Sequence, residues 1–167
     1  GIIGFGRIGQ EVAKIALGVG MRVIAADKFM ETATVQVALF DGQTVDVDIK
    51  IQSQESLLAE SDFVSLHLPA QKDYVIGANE FNQMKDGAAI VNAARGGVID
   101  EVALLKALDS GKLSFAGLDT FEKEPKPAMQ VLMHPKVSLT PHIGAATGEA
   151  QDRIGEELDQ QIAAILL

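Results

Sequence analysis

The stretch G-I-I-G-F-G-R-I-G-Q, residues 1–10, decides the fold, because it joins an apolar strand, a glycine-rich turn and the start of a helix. The apolar residues Gly1–Ile3 predict the end of a buried strand. Gly4, Gly6 and Gly9 follow in the pattern G-x-G-x-x-G. Beyond the turn, apolar residues recur at helix spacing, at Ile8, Val12, Ile15, Ala16 and Val19.

Short apolar runs continue to alternate with helical patterns along the chain. Strands are predicted at Met21–Ala26, Phe63–Leu68, Ala88–Val91, Ser114–Leu118 and Val137–Leu139. Helices are predicted from about Ser53, after the cap residue Asp100, and from about Thr147. Strands that alternate with helices favour an α/β fold, here a Rossmann-type doubly wound parallel sheet with helices on both faces.

One segment, V-Q-V-A-L-F-D-G-Q-T-V-D-V-D-I-K-I at residues 35–51, breaks this rhythm. Its apolar and polar residues alternate on both sides of Asp41 and Gly42, and an Asp-Gly pair in that setting is a strong hairpin signal. The segment stands where a crossover helix would be expected. We therefore expect a β-hairpin insertion near residues 35–51, at the sheet edge, with surface decoration as its simplest interpretation.

The composition narrows the classes of function. The chain has 167 residues, 47% of them hydrophobic, and a formal net charge of −9. An acidic surface argues against nucleic acid or an anionic membrane as a main partner, because both favour basic proteins. The absence of cysteine excludes disulfides, thiolate metal sites and a cysteine nucleophile. With no leader and no apolar run long enough to span a bilayer, we expect a cytoplasmic protein.

The residues around the glycine turn indicate what the turn binds. Asp27 ends the second predicted strand, 23 residues beyond Gly4, which is the layout of a dinucleotide-binding unit. In such a unit Gly4 permits a tight turn, Gly6 lets a pyrophosphate approach the backbone, and Gly9 lets helix and strand pack closely. The alternative is a strand–helix turn whose glycines serve packing alone.

Groups beside the turn indicate which dinucleotide would bind. The N–H groups around Arg7 and Ile8 are expected to point at the phosphates, helped by the helix dipole, and the Arg7 side chain adds positive charge. Asp27 would accept hydrogen bonds from the ribose hydroxyls of the adenosine half. A carboxylate there repels a 2′-phosphate, so NAD is favoured over NADP, although Lys28 weakens that inference.

Three further segments place reactive side chains after predicted strands. They are V-N-A-A-R-G-G-V-I-D with Arg95, A-G-L-D-T-F-E-K-E-P with its acids, and L-T-P-H-I-G-A-A-T with His142. Ligands bind at the carboxyl ends of strands in open α/β sheets. An arginine, two acids and a histidine at that edge form a plausible site for an anionic substrate.

Five motifs in order resemble the D-isomer-specific 2-hydroxyacid dehydrogenase family. They are G-F-G-R-I-G, S-D-F-V-S-L-H-L-P, M-K-D-G-A-A-I-V-N-A-A-R-G-G-V-I-D, G-L-D-T-F-E-K-E-P and L-T-P-H-I-G-A-A-T, and they cover nearly the whole chain. The run H-I-G-A-A-T-G-E-A-Q is similar to the D-3-phosphoglycerate dehydrogenase branch. That branch would place the parent enzyme in serine biosynthesis.

The resemblance implies a role for each reactive residue. Arg95 would bind the carboxylate and keto oxygen of a small anionic 2-hydroxy or 2-keto acid and polarise its carbonyl. His142 would be the general acid/base, and Glu124 would pair with it and orient it. Hydride would pass to or from the nicotinamide of NAD. Asp119 would hold the nicotinamide end of the cofactor, through its carboxamide.

The resemblance also implies cofactor contacts outside the glycine turn. His67 and Pro69 would flank the adenine side of the cofactor. The backbone of Ala93 and of the run His142, Ile143, Gly144 and Ala145 would line the nicotinamide pocket, and Ala94 and Arg95 would also contact the cofactor. His67 is equally compatible with simple packing.

Other titratable residues have plainer interpretations. Glu122 lies close to Glu124, but the family spacing, five residues after Asp119, selects Glu124 as the partner of His142, and Glu122 is expected to be a solvated loop charge. His134 is expected to be a loop or capping residue. The three histidines have no metal-ligand spacing, so no metal is expected.

Family members have a cofactor domain and a substrate domain. Residues 1–167 therefore resemble an isolated NAD-binding domain, apparently truncated at both ends, with the substrate domain absent. A homodimer is expected, because the cofactor domain carries the main dimer contact in many relatives. Turnover by the chain alone is expected to be weak or absent.

Two other functions stay open. Some proteins similar to this family sense NAD and use it to control assembly without turnover, although such a sensor needs no acid–base pair. An unrelated nucleotide-binding fold, such as a methyltransferase, would explain the glycine turn alone. Formate dehydrogenases share the fold, but in that family the partner of the histidine is a glutamine, so Glu124 argues against them.

Overall fold

The computed structural model of the protein describes residues 1–166, which contain eight strands and six helices. The strands are β1 (Ile2–Ile3), β2 (Ile24–Ala26), β3 (Ala33–Ala38), β4 (Thr44–Ile51), β5 (Phe63–Leu66), β6 (Ala88–Asn92), β7 (Leu113–Leu118) and β8 (Val137–Leu139). The helices are α1 (Arg7–Gly18), α2 (Gln54–Glu60), α3 (Ala78–Gln83), α4 (Glu101–Asp109), α5 (Met129–Leu132) and α6 (Gly148–Leu166).

All eight strands join one sheet in the order β3-β4-β2-β1-β5-β6-β7-β8. Every pairing is parallel except that of β3 with β4. The order reverses beside β1, where the chain crosses from one half of the sheet to the other, and the crevice at such a reversal is where ligands bind in doubly wound folds. The predicted Rossmann-type fold is confirmed.

Hydrophobic residues cover both faces of the sheet because neighbouring strand residues point to opposite sides. Ile3 packs with the larger core formed by α2, α3, α4 and α5, which includes the fully buried Leu104 and Leu108. Ile2 packs with a smaller core on the opposite face of the sheet, which is formed by α1 and by residues of β3 and β4. The larger core supports the loops that carry the candidate catalytic residues.

The glycine turn has the backbone geometry that its pattern predicts. Gly4 has a φ of +87°, a left-handed conformation that glycine adopts without strain. A Cβ at Gly9 would collide with the carbonyl oxygen of Gly4, so α1 approaches β1 more closely than any other residue would allow. Around Gly6 there is open space, with nothing within 4 Å of a Cβ position.

The predicted hairpin is confirmed, with Ala33 opposite Ile49 and Ala38 opposite Thr44. Its second strand, β4, also pairs parallel with β2, so the hairpin extends the main sheet and β3 becomes its outer edge. The hairpin therefore replaces the helix that usually crosses between parallel strands. Val35 and Ile49 reach the smaller core and hold the hairpin against α1.

The structure differs from the sequence-based expectations in α1 and in two short helices. The fully buried residues of α1 are Gly9 and Ala13, and Val12 and Leu17 pack against the smaller core, whereas Ile8, Ile15 and Val19 are exposed. The apolar spacing predicted the helix but not which of its residues are fully buried, because close packing on the sheet selects small residues there. The helices α3 and α5 were not predicted, since six and four residues are too few for a periodic signal.

The long terminal helix α6 begins as predicted, with the Thr147 hydroxyl accepting a hydrogen bond from the N–H of Ala150. None of its described residues is buried, and its apolar side chains at Ile154 and Leu158 are exposed to solvent. Within residues 1–166, no helix combines the length and apolar character needed to cross a membrane.

Substitution of Leu104 tests the assignment of the larger core. Leu104 is fully buried, so Leu104→Ala is expected to lower the free energy of unfolding by about 2–5 kcal/mol, through lost apolar burial and a residual cavity. Val102 lies on the same helix but is 60% exposed, and Val102→Ala is expected to change it by less than about 0.5 kcal/mol. Urea unfolding monitored by circular dichroism measures both, and equal losses would contradict the assigned helix orientation.

Candidate dinucleotide and acid–base site

The candidate site lies along the edge of the sheet where the parallel strands end. The glycine turn follows β1, Asp27 follows β2, and His67 follows β5. Arg95 follows β6 and His142 follows β8. Parallel strands bring these loops to one edge, and the sequence-predicted residues are therefore gathered along it.

The Asp27 carboxylate is held directly beside the glycine turn. Its Oδ2 accepts a hydrogen bond from the N–H of Phe5 at 2.7 Å, and its Oδ1 accepts one from the N–H of Phe29 at 2.8 Å. Each carboxylate oxygen retains a further lone pair for a ribose hydroxyl. The open space at Gly6 and the unsatisfied N–H groups in the first turn of α1 complete a cradle that fits a dinucleotide.

Arg7 forms an ion pair that the sequence did not reveal. Its Nη1 lies 2.6 Å from Oε1 of Glu157 on α6, and the Arg7 side chain is largely exposed. A surface pair of this kind contributes little to stability, so it does not prevent Arg7 from turning toward a phosphate. The expected phosphate contacts of Arg7 and Ile8 stay predictions.

On the predicted adenine side of the site, His67 is partly buried. Its Nε2 forms a 2.8 Å hydrogen bond with the Ser65 hydroxyl, and desolvation by burial lowers the pKa of His67. Its carbonyl oxygen closes against Gly4, where a Cβ would collide with it. His67 therefore supports the glycine turn through its backbone. Pro69 is exposed nearby in sequence, and the adenine contacts of both residues stay predictions.

The loop that carries Arg95 is organised by Asn92, a buried residue that the motif analysis did not single out. The Asn92 side chain donates to the carbonyl of Arg95 at 3.0 Å and accepts from the N–H of Ala94 at 3.1 Å. The carbonyl of Ala94 in turn accepts from Nη1 of Arg95. Ala94 is buried, and both of its backbone polar groups bond within the loop, whereas Ala93 is exposed.

His142 and Glu124 form the predicted pair. His142 Nδ1 lies 2.8 Å from Glu124 Oε2, while Oε1 of Glu124 accepts a hydrogen bond from the N–H of Phe121 at 3.0 Å. The bond with His142, with a smaller effect from the Phe121 N–H, lowers the pKa of Glu124 below its ordinary value. Glu124 is therefore a carboxylate at neutral pH and orients the imidazole so that its Nε2 remains for another partner.

Asp119 holds the backbone around His142. Its Oδ1 accepts hydrogen bonds from the Thr140 hydroxyl at 2.5 Å and the Ile143 N–H at 2.9 Å, and its Oδ2 accepts from the Gly144 N–H at 2.9 Å. Burial alone would raise the pKa of Asp119, but these bonds lower it below its ordinary value. They hold the backbone of His142 at a φ of +56°, a left-handed conformation that is uncommon for residues other than glycine.

This geometry gives Asp119 a function that was not expected, which is to shape the His142 loop. Its predicted contact with the carboxamide of the cofactor stays a prediction. The same loop meets the Arg95 loop, since a Cβ at Gly144 would lie 4.0 Å from the carbonyl oxygen of Ala93. The backbone run from His142 to Ala145 is exposed, as a ligand-lining segment must be.

An open cavity of about 410 Å³ adjoins the His142–Glu124 pair. Apolar residues line most of it, among them Phe121, Pro125, Leu132, Leu139 and Pro141. The His142 side chain is 45% exposed, so the pair lies between this apolar surface and solvent.

Two expectations about neighbouring residues have different outcomes. The interpretation of Glu122 as a solvated charge is wrong, because its carboxylate accepts a hydrogen bond from the N–H of Glu101 at 2.8 Å. His134 is confirmed as a loop residue, since its Nδ1 accepts from the N–H of Lys136 and its Nε2 lies 3.2 Å from Asp109. The expectation that the protein holds no metal stays a prediction.

Comparison with known proteins identifies the kind of domain. Residues 1–144 match the family model described as "D-isomer specific 2-hydroxyacid dehydrogenase, NAD binding domain". A hydroxypyruvate reductase of Thermotoga maritima is 46% identical over 167 residues, which cover 97% of this chain and 51% of the relative. A D-3-phosphoglycerate dehydrogenase of Archaeoglobus fulgidus is 40% identical over 165 residues, 97% of this chain and 30% of that protein.

A solved structure agrees with these sequence matches. The crystal structure of D-lactate dehydrogenase from Aquifex aeolicus, complexed with NAD and lactic acid, superposes with a TM-score of 0.75 at 34% identity. The match covers 99% of this chain and 52% of that protein. The chain thus spans about half the length of two of these relatives and about a third of the other.

Replacement of Asp119 tests its hold on the His142 loop. Asp119→Asn removes the charge and one acceptor oxygen, so the free energy of unfolding near neutral pH is expected to fall by about 1.5–3 kcal/mol. Because the pKa of Asp119 is lowered in the folded state, its contribution is complete above the ordinary value of 3.8 and is lost as the pH falls through the folded value.

Urea unfolding at a series of pH values measures this difference between the wild-type protein and Asp119→Asn. Thr140→Val removes one of the three donors and is the matched control, with a smaller loss that follows the same pH dependence. A stability difference that stays constant down to acid pH would contradict the assigned function of the carboxylate.

Proposed function

The chain belongs to the D-isomer specific 2-hydroxyacid dehydrogenase family, and we propose that its longer form transfers hydride between NAD and a small D-2-hydroxy acid. The chain is an NAD-binding domain of this oxidoreductase family, and NAD is its cofactor. The observation that carries the proposed chemistry is the 2.8 Å contact of His142 with Glu124, beside the loop of Arg95.

In the proposed reaction, the residues of the chain handle charge and protons. Since Glu124 bonds to Nδ1 of His142, Nε2 is the ring nitrogen that exchanges a proton with the substrate oxygen. Arg95 binds the substrate carboxylate and stabilises negative charge that develops on the oxygen. NAD, when bound, supplies or accepts the hydride.

The glycine turn and Asp27, which follows β2, bind the dinucleotide. The N–H groups of the first turn of α1 donate hydrogen bonds to the phosphate oxygens, and the open space at Gly6 lets the phosphates approach. The Asp27 carboxylate, already oriented by the N–H groups of Phe5 and Phe29, accepts the ribose hydroxyls. A 2′-phosphate would place like charges together at Asp27, so we propose a preference for NAD over NADP.

The substrate class is a small 2-hydroxy or 2-keto acid. Relatives act on different members of this class, as the names hydroxypyruvate reductase, D-3-phosphoglycerate dehydrogenase and D-lactate dehydrogenase show. The run H-I-G-A-A-T-G-E-A-Q favours D-3-phosphoglycerate, with 3-phosphohydroxypyruvate as the product, and a place in serine biosynthesis. We also propose the cytoplasm as the location of the protein.

The second candidate is an NAD sensor in which binding controls assembly and no turnover occurs. The His142–Glu124 pair favours the enzyme, because a sensor has no use for an oriented acid–base group. We also propose a homodimer, consistent with the exposed apolar stripe of α6 at Ile154, Leu158 and Ile162. Light scattering with and without NAD measures the assembly, and a monomer in both conditions would contradict the dimer.

Fluorescence titration with NADH and NADPH tests the cofactor proposal. Saturable binding of NADH is expected, with NADPH at least tenfold weaker because of the charge at Asp27, a penalty of about 1.4 kcal/mol or more. Asp27→Ala is expected to weaken NADH and to reduce the preference. Asp86→Ala, which removes an exposed carboxylate before β6 at the opposite edge, is the matched control and leaves both affinities unchanged. Equal binding of both cofactors to the wild-type protein would refute the assignment.

Turnover of 3-phosphohydroxypyruvate, followed by the absorbance of NADH, separates the enzyme from the sensor. In the chain alone the rate is expected to be far below that of a full-length family enzyme, because His142 and Arg95 are open to solvent. His142→Asn is expected to abolish the remaining rate and to leave NADH affinity within about twofold. NAD-dependent assembly that survives His142→Asn, with no turnover in either protein, would favour the sensor.

A further inference from the structure

Two glutamates form a reciprocal contact between α4 and the loop that follows β7. The N–H of Glu101 donates to Oε1 of Glu122 at 2.8 Å, and the N–H of Glu122 donates to Oε1 of Glu101 at 2.8 Å. Each carboxylate therefore caps the backbone of the other residue. We call this arrangement the Glu101–Glu122 clasp.

The clasp explains a carboxylate in an unfavourable place. Glu101 is only 7% exposed, and burial raises its pKa, although the Glu122 N–H opposes that effect. Glu101 is also the first residue of α4, where backbone N–H groups have no partner within the helix. Asp100 caps Ala103 from the same helix, whereas Glu122 caps Glu101 from a separate segment of the chain. A buried acid is therefore used to connect two segments.

The segment that the clasp holds leads directly to the proposed acid–base pair. Phe121, adjacent to Glu122, donates its N–H to Oε1 of Glu124, whose Oε2 contacts His142. The carbonyl of Phe121 lies so close to Gly96 that any side chain at Gly96 would collide with it. A change at the clasp is therefore expected to move Phe121, whose N–H donates to Glu124 and whose carbonyl lies against the Arg95 loop.

We propose that Glu101 is a positioning residue for the Glu124–His142 pair, acting through Glu122 and the Phe121 peptide. The proposal rests on the proposed function, because it concerns the geometry of the same pair. Glu101 touches neither His142 nor Glu124, and it acts only by keeping the Phe121 N–H directed at Glu124. Its acceptor oxygen carries this function, so a glutamine at the same position preserves it.

Three variants separate positioning from simple stability. Glu101→Ala removes the acceptor, whereas Glu101→Gln keeps an oxygen for the Glu122 N–H. Glu80→Ala is the matched control, because the Glu80 carboxylate caps the Gly77 N–H at 2.9 Å at the start of α3, away from the acid–base pair. Both alanine variants therefore remove one carboxylate that accepts a backbone hydrogen bond, from the Glu122 N–H in one case and from the Gly77 N–H in the other.

The readout is the pKa of Glu124, measured by carbon NMR titration of the side-chain carboxyl in this chain and assigned with Glu124→Gln. His142→Ala removes the main cause of the lowered pKa of Glu124 and sets the scale. Glu101→Ala is expected to raise the pKa of Glu124, by less than His142→Ala does, because the Phe121 N–H is the smaller of the two causes. Glu101→Gln and Glu80→Ala are expected to leave that pKa unchanged, while NADH affinity stays within twofold in all three.

An unchanged pKa of Glu124 in Glu101→Ala would overturn the proposal, as would equal changes in Glu101→Ala and Glu80→Ala. If Glu101→Ala fails to fold, Glu122→Ala gives the same comparison from the other side of the clasp and is expected to raise the pKa equally. Failure of the wild-type protein to bind NADH would contradict the proposed function instead, and would leave the NMR result on the clasp intact.

Discussion

The candidate site depends on carboxylates that accept hydrogen bonds from the backbone of the loops at one sheet edge. Asp27 holds Phe5 and Phe29 in this way, and Asp119 holds Ile143 and Gly144. Loops that leave a parallel sheet have N–H groups without strand partners, and a charged acceptor binds them about twice as strongly as a neutral one. These contacts therefore help to fix the shape of the loops at the strand ends.

This constraint links the fold to the proposed chemistry. The same glutamate that orients His142 also accepts the Phe121 N–H, so the acid–base pair and its supporting loop form one hydrogen-bonded unit. Asn92, the last residue of β6, organises the Arg95 loop that follows it. The carbonyl of Asn92 also accepts a hydrogen bond from the N–H of Asp119, which follows the adjacent strand β7. The two reactive loops are therefore tied to adjacent strands of a rigid sheet, as precise positioning of reacting groups requires.

Much of this could be predicted from the sequence, where the signal is local. The glycine turn, the hairpin at Asp41 and Gly42, and the Asp100 cap each depend on a few adjacent residues with strong conformational preferences. The pairing of Glu124 with His142 was predicted from family spacing, and the structure confirms it.

Other features depend on contacts between distant segments, which no local pattern contains. The Glu122 side chain was expected in solvent, but it caps a helix that starts 21 residues earlier. The exposed Ile8 and Ile15 of α1 show the same limit, because the fully buried positions of the helix are the small residues Gly9 and Ala13. A short buried amide such as Asn92 gives no sequence signal of its own.

The most direct test of the central claim is a map of backbone amide shifts in the isotope-labelled chain as NADH is added. The account predicts that the largest changes occur in the glycine turn, at Asp27 and Phe29, and in the loops around Arg95 and His142. These groups share one sheet edge, where the account places one bound dinucleotide. Changes confined to other parts of the molecule, with the Asp27 and His142 loops unaffected, would contradict it.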